Sequence, residues 1–267
     1  MGEALTATAF QRDTAVTALG DGRFSARCDP AWFAPRGPNG GYLAAIVLRA
    51  LAAVVDDAAR APRSLTLHYL RPPAAGDLEI AVEVQRTGRR LTTLAARLEQ
   101  DGRLCVLAIG AFSEDFESIG EYADEPPAVP RPEALEPAPR SDLMPAIAHR
   151  FEMRPALGGV PFAGGEEALT GGWIAFADGP QALDAPALAM LTDAWLPAPF
   201  ARLSEPVGAP TIDLTIHFRA PELVVAEPVL AVFRSRFAHA GFFEEDGELW
   251  SADGRLLAQS RQLGLLL

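Results

Sequence analysis

The chain carries one stretch of sequence twice. Leu65 to Pro72 reads LTLHYLRP and Leu214 to Pro221 reads LTIHFRAP, so His68 and His217 stand 149 residues apart. DGRL occurs at Asp101–Leu104 and again at Asp253–Leu256, 152 residues apart. Two motifs in the same order at nearly one offset imply a duplicated supersecondary unit. A pair predicts a pseudo-dimer, because a solenoid needs three or more units. Each copy has roughly 115 residues, enough to bury a core of its own. The expected division is a first copy over 1–113, an acidic, proline-rich linker over 114–142, and a second copy over 143–267.

The periodicity within each copy is consistent. After an entry strand at Arg23–Ala26, Pro38-Asn39-Gly40-Gly41 reads as a helix start with Asn39 as the N-cap, and Asp56-Asp57 closes the run. That helix is apolar on every side and must be enclosed. Ser64–Leu70 and Leu78–Gln85 alternate as strands, and Leu91–Glu99 and Arg103–Phe112 pair around Asp101-Gly102, a strong signal for a type I′ hairpin turn. In the second copy, strands at Ala148–Arg154 and Trp173–Ala177 precede a helix from Pro186 to Leu196, ended by Pro197 and Pro199. Strands at Thr211–Arg219, Pro228–Arg236, Ala240–Trp250 and Arg255–Leu266 follow. A sheet that must cover an all-apolar helix curls around it. The prediction is an α+β chain with the double hotdog architecture: two tandem hotdog units joined edge to edge, which hides strand edges that would otherwise aggregate.

Composition excludes several classes. The net charge of −12 argues against nucleic-acid and anionic-membrane partners, which want a basic face. All 23 cationic side chains are Arg, so a lysine Schiff base, a P-loop lysine and a Ser–Lys pair are impossible. Cys28 and Cys105 fit buried, reduced thiols and a cytoplasmic protein. No basic segment followed by an apolar core marks the N-terminus as a secretory signal. Met1-Gly2 with Thr6 matches the myristoylation pattern only formally. The longest apolar run, Leu43–Val55, is interrupted by Arg49 and too short for a bilayer, so no membrane insertion is expected. No metalloprotease, zinc-ribbon, nucleophile-elbow or Walker motif is present.

The copies differ where chemistry is concerned. Asp193 is the only charge on the second helix, placed by sequence in its last turn, where burial and the helix dipole both disfavour it. It either faces solvent or caps a neighbouring loop, or it serves as a general base with a raised pKa. Thr211 opens the second strand motif where the first copy has Pro62, and Gln262 stands where the first copy has Gly110. His68 and His217 recur in both copies and read as packing or hydrogen-bonding residues, while His149 and His239 lack partners at metal-ligand spacing.

Thr211–Pro221, TIDLTIHFRAP, and the segment GELWSADGRLLAQSRQ ending at Gln262 resemble the closing half of the acyl-CoA thioesterase II family. Asn39-Gly40-Gly41-Tyr42 is similar to the helix start of the broader thioesterase-like group. The resemblance implies a double hotdog that hydrolyses acyl-CoA, with Asp193, Thr211 and Gln262 as the catalytic set. Asp193 would accept a proton from water held by Thr211 and Gln262, and the amides of Gly40 and Gly41 would receive the thioester oxygen. No cofactor is expected beyond the coenzyme A of the substrate. Arg89, Arg90, Arg234 and Arg236 are candidates for its phosphates, and a homodimer or higher homo-oligomer is expected. The alternatives are a non-catalytic acyl-CoA or lipid-binding module, and a hotdog dehydratase or hydratase, which would need an Asp–His pair that is not evident.

Overall fold

The computed structural model describes residues 7–179, 183–220 and 228–267. The Met1–Thr6 match and Pro221, the last residue of the second strand motif, lie outside them. The helices are α1 (Ala9–Asp13), α2 (Gly40–Val55) and α3 (Ala185–Leu191). The strands are β1 (Thr17–Gly20), β2 (Arg23–Cys28), β3 (Phe33–Ala34), β4 (Gly37–Pro38), β5 (Ala61–Tyr69), β6 (Gly76–Thr87), β7 (Leu91–Gln100) and β8 (Arg103–Ser113) in the first half. The second half adds β9 (Phe151–Gly158), β10 (Leu169–Phe176), β11 (Thr211–Phe218), β12 (Val229–Arg234), β13 (Ala238–His239), β14 (Phe242–Trp250) and β15 (Leu256–Leu265).

Among the described residues, thirteen strands form one antiparallel sheet in the order β1-β2-β6-β7-β8-β5-β11-β15-β14-β12-β10-β9, with β13 on β14. The order reads the same from either end once each strand is replaced by its repeat counterpart. This is a double hotdog. The two motif strands, β5 and β11, meet at the centre, and Thr66 pairs with Thr215 there, their hydroxyls 3.1 Å apart. Those residues are also 149 apart, so the pseudo-twofold axis passes between them. The repeat motif itself is the seam. His68 and His217, read as packing or hydrogen-bonding residues, flank this axis on the outer face and are exposed, because the alternation that buries Leu65 and Leu67 turns His68 outward.

Helix α2 follows the sequence reading closely. The Asn39 side chain accepts from the Tyr42 N–H at 3.0 Å, and Asp56, at φ 45°, ends the helix in the left-handed region. Tyr42 to Leu48 are buried on all faces, which stabilises the half by roughly 1.5–3 kcal/mol for each large apolar side chain. The buried Tyr42 hydroxyl is satisfied at the carbonyls of Asp13 and Arg27, 2.8 Å each.

Helix α3 is shorter than expected. It ends at Leu191, not Leu196. Thr192 turns its hydroxyl back to the Ala189 carbonyl at 2.9 Å, and the Asp193 N–H bonds Met190, three residues earlier, at 3.3 Å. The last turn tightens and the chain leaves the helix. Asp193 therefore lies beyond the helix and not in its last turn.

Two further elements depart from expectation. Asp101 and Gly102 have φ of 50° and 69°, as a type I′ turn requires. The second DGRL is a wider turn: Trp250 pairs with Leu256, and Ser251 accepts from the Arg255 N–H at 2.9 Å. The strand expected from Ala148 begins at Phe151, after a 3-10 segment over Ala146–Arg150. Residues 114–142 form no strand and dock on the outer face of the second half. There Trp173 donates to the Pro130 carbonyl at 2.9 Å, and Val129 and Leu135 cover Trp173, Leu230 and Trp250.

Candidate active site

The two central helices approach so closely that only glycine fits at the start of α2. A Cβ on Gly41 would lie 2.6 Å from the Met190 carbonyl, and one on Gly40 would lie 2.9 Å from the Asp193 carboxylate and 3.0 Å from the Tyr69 ring. That approach brings Asp193 to the other helix's N-terminus. Its Oδ2 accepts from Gly41 N–H at 3.0 Å and from Asn39 Nδ2 at 2.9 Å, and Asn39 Nδ2 also donates to the Asp193 carbonyl at 2.7 Å. Tyr69 donates its hydroxyl to the Gly40 carbonyl at 2.9 Å, and desolvation by burial pushes its pKa well above the usual phenol range.

Two opposing effects act on Asp193. Desolvation of the carboxylate raises its pKa, while the amides of Gly41 and Gly40 and the side chain of Asn39 lower it; desolvation wins and the group stands at about 6. The residue keeps partial solvent contact, and no cation lies within ion-pair distance among the described residues. A carboxylate so placed is ionised at neutral pH yet basic enough to take a proton.

Thr211 and Gln262 meet on neighbouring strands. Thr211 donates to Gln262 Oε1 at 2.7 Å. A bulge between Thr211 and Asp213 re-aims the start of β11 towards β15, and the first half has the matching bulge between Pro62 and Ser64. No hydrogen bond links Asp193 directly to either residue among the described ones. The link is electrostatic and passes through a residue missed in the sequence.

That residue is Glu245. It is buried, stands opposite Gln262 across β14 and β15, and accepts from Gln262 Nε2 at 2.6 Å. Its other oxygen accepts from the Ala198 N–H at 2.5 Å. Burial raises it to about 7, against those two hydrogen bonds, and the charges of Asp193 and Glu244 add to the rise. The signal was available: Phe243, Glu245, Gly247 and Leu249 occupy one face of a strand by alternation, and a carboxylate there points inward.

The glycine amides correct one expectation. Gly41 N–H is engaged by Asp193 and Gly40 N–H faces the same carboxylate, so Asn39, Gly40 and Gly41 hold the acid and not an empty oxyanion position. Arg236 is paired with Asp246 at 2.5 Å and Arg90 lies over Phe116 at 5.3 Å. Arg234 and Arg236, with Arg202, Glu166 and Glu167, line a surface cleft of about 200 Å³. Among the described residues, no three metal-ligating side chains cluster and no helix is long and apolar enough to cross a membrane.

Similar proteins share this framework. A protein from Alicyclobacillus acidocaldarius, described only as a conserved protein with a hot dog fold, is 28% identical over 98% of this chain and 99% of its own, with a TM-score of 0.91. A protein from Thermobifida fusca, proposed to be a thioesterase II, is 28% identical over 97% of this chain and 98% of its own, with a TM-score of 0.85. An acyl-CoA thioesterase II from Mycobacterium marinum, 21% identical over 97% and 98% of the two chains, shares the fold with a TM-score of 0.81. No protein with a curated description matches the chain significantly. The acyl-CoA thioesterase N-terminal domain matches residues 29–113, and the acyl-CoA thioesterase C-terminal domain matches residues 123–266. With both domains in order on one double hotdog, the chain belongs to the acyl-CoA thioesterase family.

Proposed function

We propose that the protein hydrolyses acyl-CoA thioesters to the free acid and coenzyme A, with Asp193 as the general base. The observation that carries this reading is a carboxylate raised to about 6, held at a helix N-terminus by Asn39 and Gly41 and within electrostatic reach of the Thr211–Gln262–Glu245 chain. A water between Asp193 and Thr211 gives one proton to the carboxylate as its oxygen attacks the thioester carbon. The carbon–sulfur bond breaks as the tetrahedral centre collapses, and the proton leaves with the thiolate. Gln262 supports the water by fixing the Thr211 hydroxyl. Arg234, beside Arg202, is the candidate for a coenzyme A phosphate.

Thiol release from a panel of acyl-CoAs tests the activity, and Asp193→Asn tests the base. Losing a general base costs about 10²–10⁴ in rate; near-full turnover in a folded Asp193→Asn protein would rule the assignment out. Binding of acyl-CoA without thiol release would identify a binding module instead. Attack by Asp193 itself, through an anhydride, would leave label from isotopic water in its carboxylate after one turnover, whereas general-base chemistry leaves it unlabelled. We further expect a cytoplasmic protein that self-associates through the outer sheet face bearing the exposed Leu91, Leu107 and Ile109, which sedimentation would read.

A further inference from the structure

We infer that Glu245 is a positioning residue that sets the direction of the hydrogen bonds running through Gln262 to Thr211, and so decides whether Thr211 meets the attacking water as an acceptor or as a donor. The inference rests on the water-activation reading above and deepens it.

The direction follows from which groups are able to donate. The Ala198 main-chain N–H is a fixed donor, and it occupies Glu245 Oε2. An ionised carboxylate accepts only, so Gln262 must present its NH2 to Oε1 at 2.6 Å. Its oxygen then faces Thr211, and the single Thr211 proton is used at 2.7 Å. What remains to Thr211 is lone pairs. It accepts one hydrogen of the water while Asp193 accepts the other, and a water lone pair is left free to attack.

Protonation reverses the chain. The proton goes to Oε1, because Oε2 is held by the Ala198 N–H. Glu245 becomes a donor and the Gln262 amide turns over, so that Nε2 donates to Thr211. The Thr211 proton is released into the site, where it bonds the lone pair that should attack. One proton is taken from solvent and one amide rotates; no covalent bond changes. The first half has nothing comparable at the corresponding strand pair, where Leu94 stands opposite Gly110.

The charged groups acting on Glu245 are Asp193, from the segment after α3, and its neighbour Glu244. Gln262 on β15 and the Ala198 amide donate hydrogen bonds to it. Burial does most to favour the protonated form, and both acids add in the same sense.

Glu245→Gln tests this directly. The new amide must turn its oxygen to the Ala198 N–H, so its NH2 faces Gln262 and the chain stays reversed at every pH. The change is isosteric and removes a buried charge, so the protein folds. The expected result is a fall in kcat of about ten-fold or more, the worth of one hydrogen bond to a charged group, with KM little changed. At low pH, log kcat rises with two ionisations in the natural protein and with one in Glu245→Gln. The side-chain amide resonances of Gln262 should shift with pH near neutrality in the natural protein and in Asp193→Asn, and stay constant in Glu245→Gln. Natural kcat with an unchanged two-ionisation profile, or a Gln262 amide that titrates identically in Glu245→Gln, would overturn the inference. The resonance measurement does not use turnover, so it tests Glu245 even if Asp193→Asn shows that the water-activation reading is wrong.

Discussion

The molecule contains the same corner twice, where the start of one central helix meets the end of the other. At the first, Asn39 caps α2 and faces Asp193; at the second, Asp184 caps α3 and faces Arg49, whose Nη2 lies 3.6 Å from its carboxylate. Counted from the caps, Arg49 corresponds to Ala194 and Leu48 to Asp193. One corner is therefore closed by an ion pair, with the Arg49 Nε also donating to Thr14 at 2.9 Å. The other holds an acid with no cation in ion-pair distance among the described residues. The corners differ in both partners: an acid caps α3 against the cation Arg49, whereas a neutral amide caps α2 against Asp193, which stands one position earlier than Arg49 in the count from the caps.

Helix length separates the halves as well. Helix α2 runs on to Val55, and its Leu51 packs where a Cβ on Gly110 would fall, 2.8 Å away. Helix α3 stops at Leu191, and the inward strand positions of the second half are polar: Glu245 opposite Gln262 in place of Leu94 opposite Gly110.

Breaking the catalytic corner should have the largest effect. Asp193→Asn is expected to lower kcat by about 10²–10⁴, read by thiol release with folding checked by circular dichroism. Next comes Gly40→Ala, whose methyl falls on both Asp193 and Tyr69; misplacing a base by about 1 Å costs on the order of 10²-fold, and a crystal structure would show the carboxylate displaced. Turnover should climb with pH through about 6, since Asp193 must be ionised to accept a proton; a profile flat across that range would separate the base from the rate.

Stability should move the opposite way. Glu245 has its pKa raised from 4.5 to about 7 by folding, so the folded state binds its proton more tightly and loses stability as pH rises between those values. Glu245→Gln should therefore be more stable to denaturant than the natural protein at about pH 8, by on the order of a few kcal/mol, and the gap should close below pH 4.5. The smallest effect on turnover is expected at the other corner. Arg49→Gln should lower Tm while leaving kcat within about two-fold, because a partly exposed ion pair is worth about 1 kcal/mol or less.

Much of the fold was legible in the residues. The repeated LTLHYLRP and LTIHFRAP strands, the all-apolar run after Asn39 and the Asp101-Gly102 turn led to the correct architecture, since each reports a local rule of alternation, capping or turn geometry. Thr211 and Gln262 were legible as differences between copies, and the structure joins them by a hydrogen bond. The end of α3 was not, because it depends on Thr192 turning back on Ala189, a choice no propensity dictates. Glu245 was passed over beside Glu244 and Asp246, although only it is buried; in a run of three acids, strand register alone decides which one points inward.

Sequence by itself determined the duplication, the enclosed helix, the curled sheet and the residue types available for chemistry, because periodicity and turn signals act within a few residues of themselves. Only the tertiary structure decided where the charges meet. Asp193 gains its partners from a helix start more than 150 residues earlier in the chain, and Glu245 from the neighbouring strand and the Ala198 amide. Their burial, with no ion pair to a cation among the described residues, makes these acids unusual and is a property of packing.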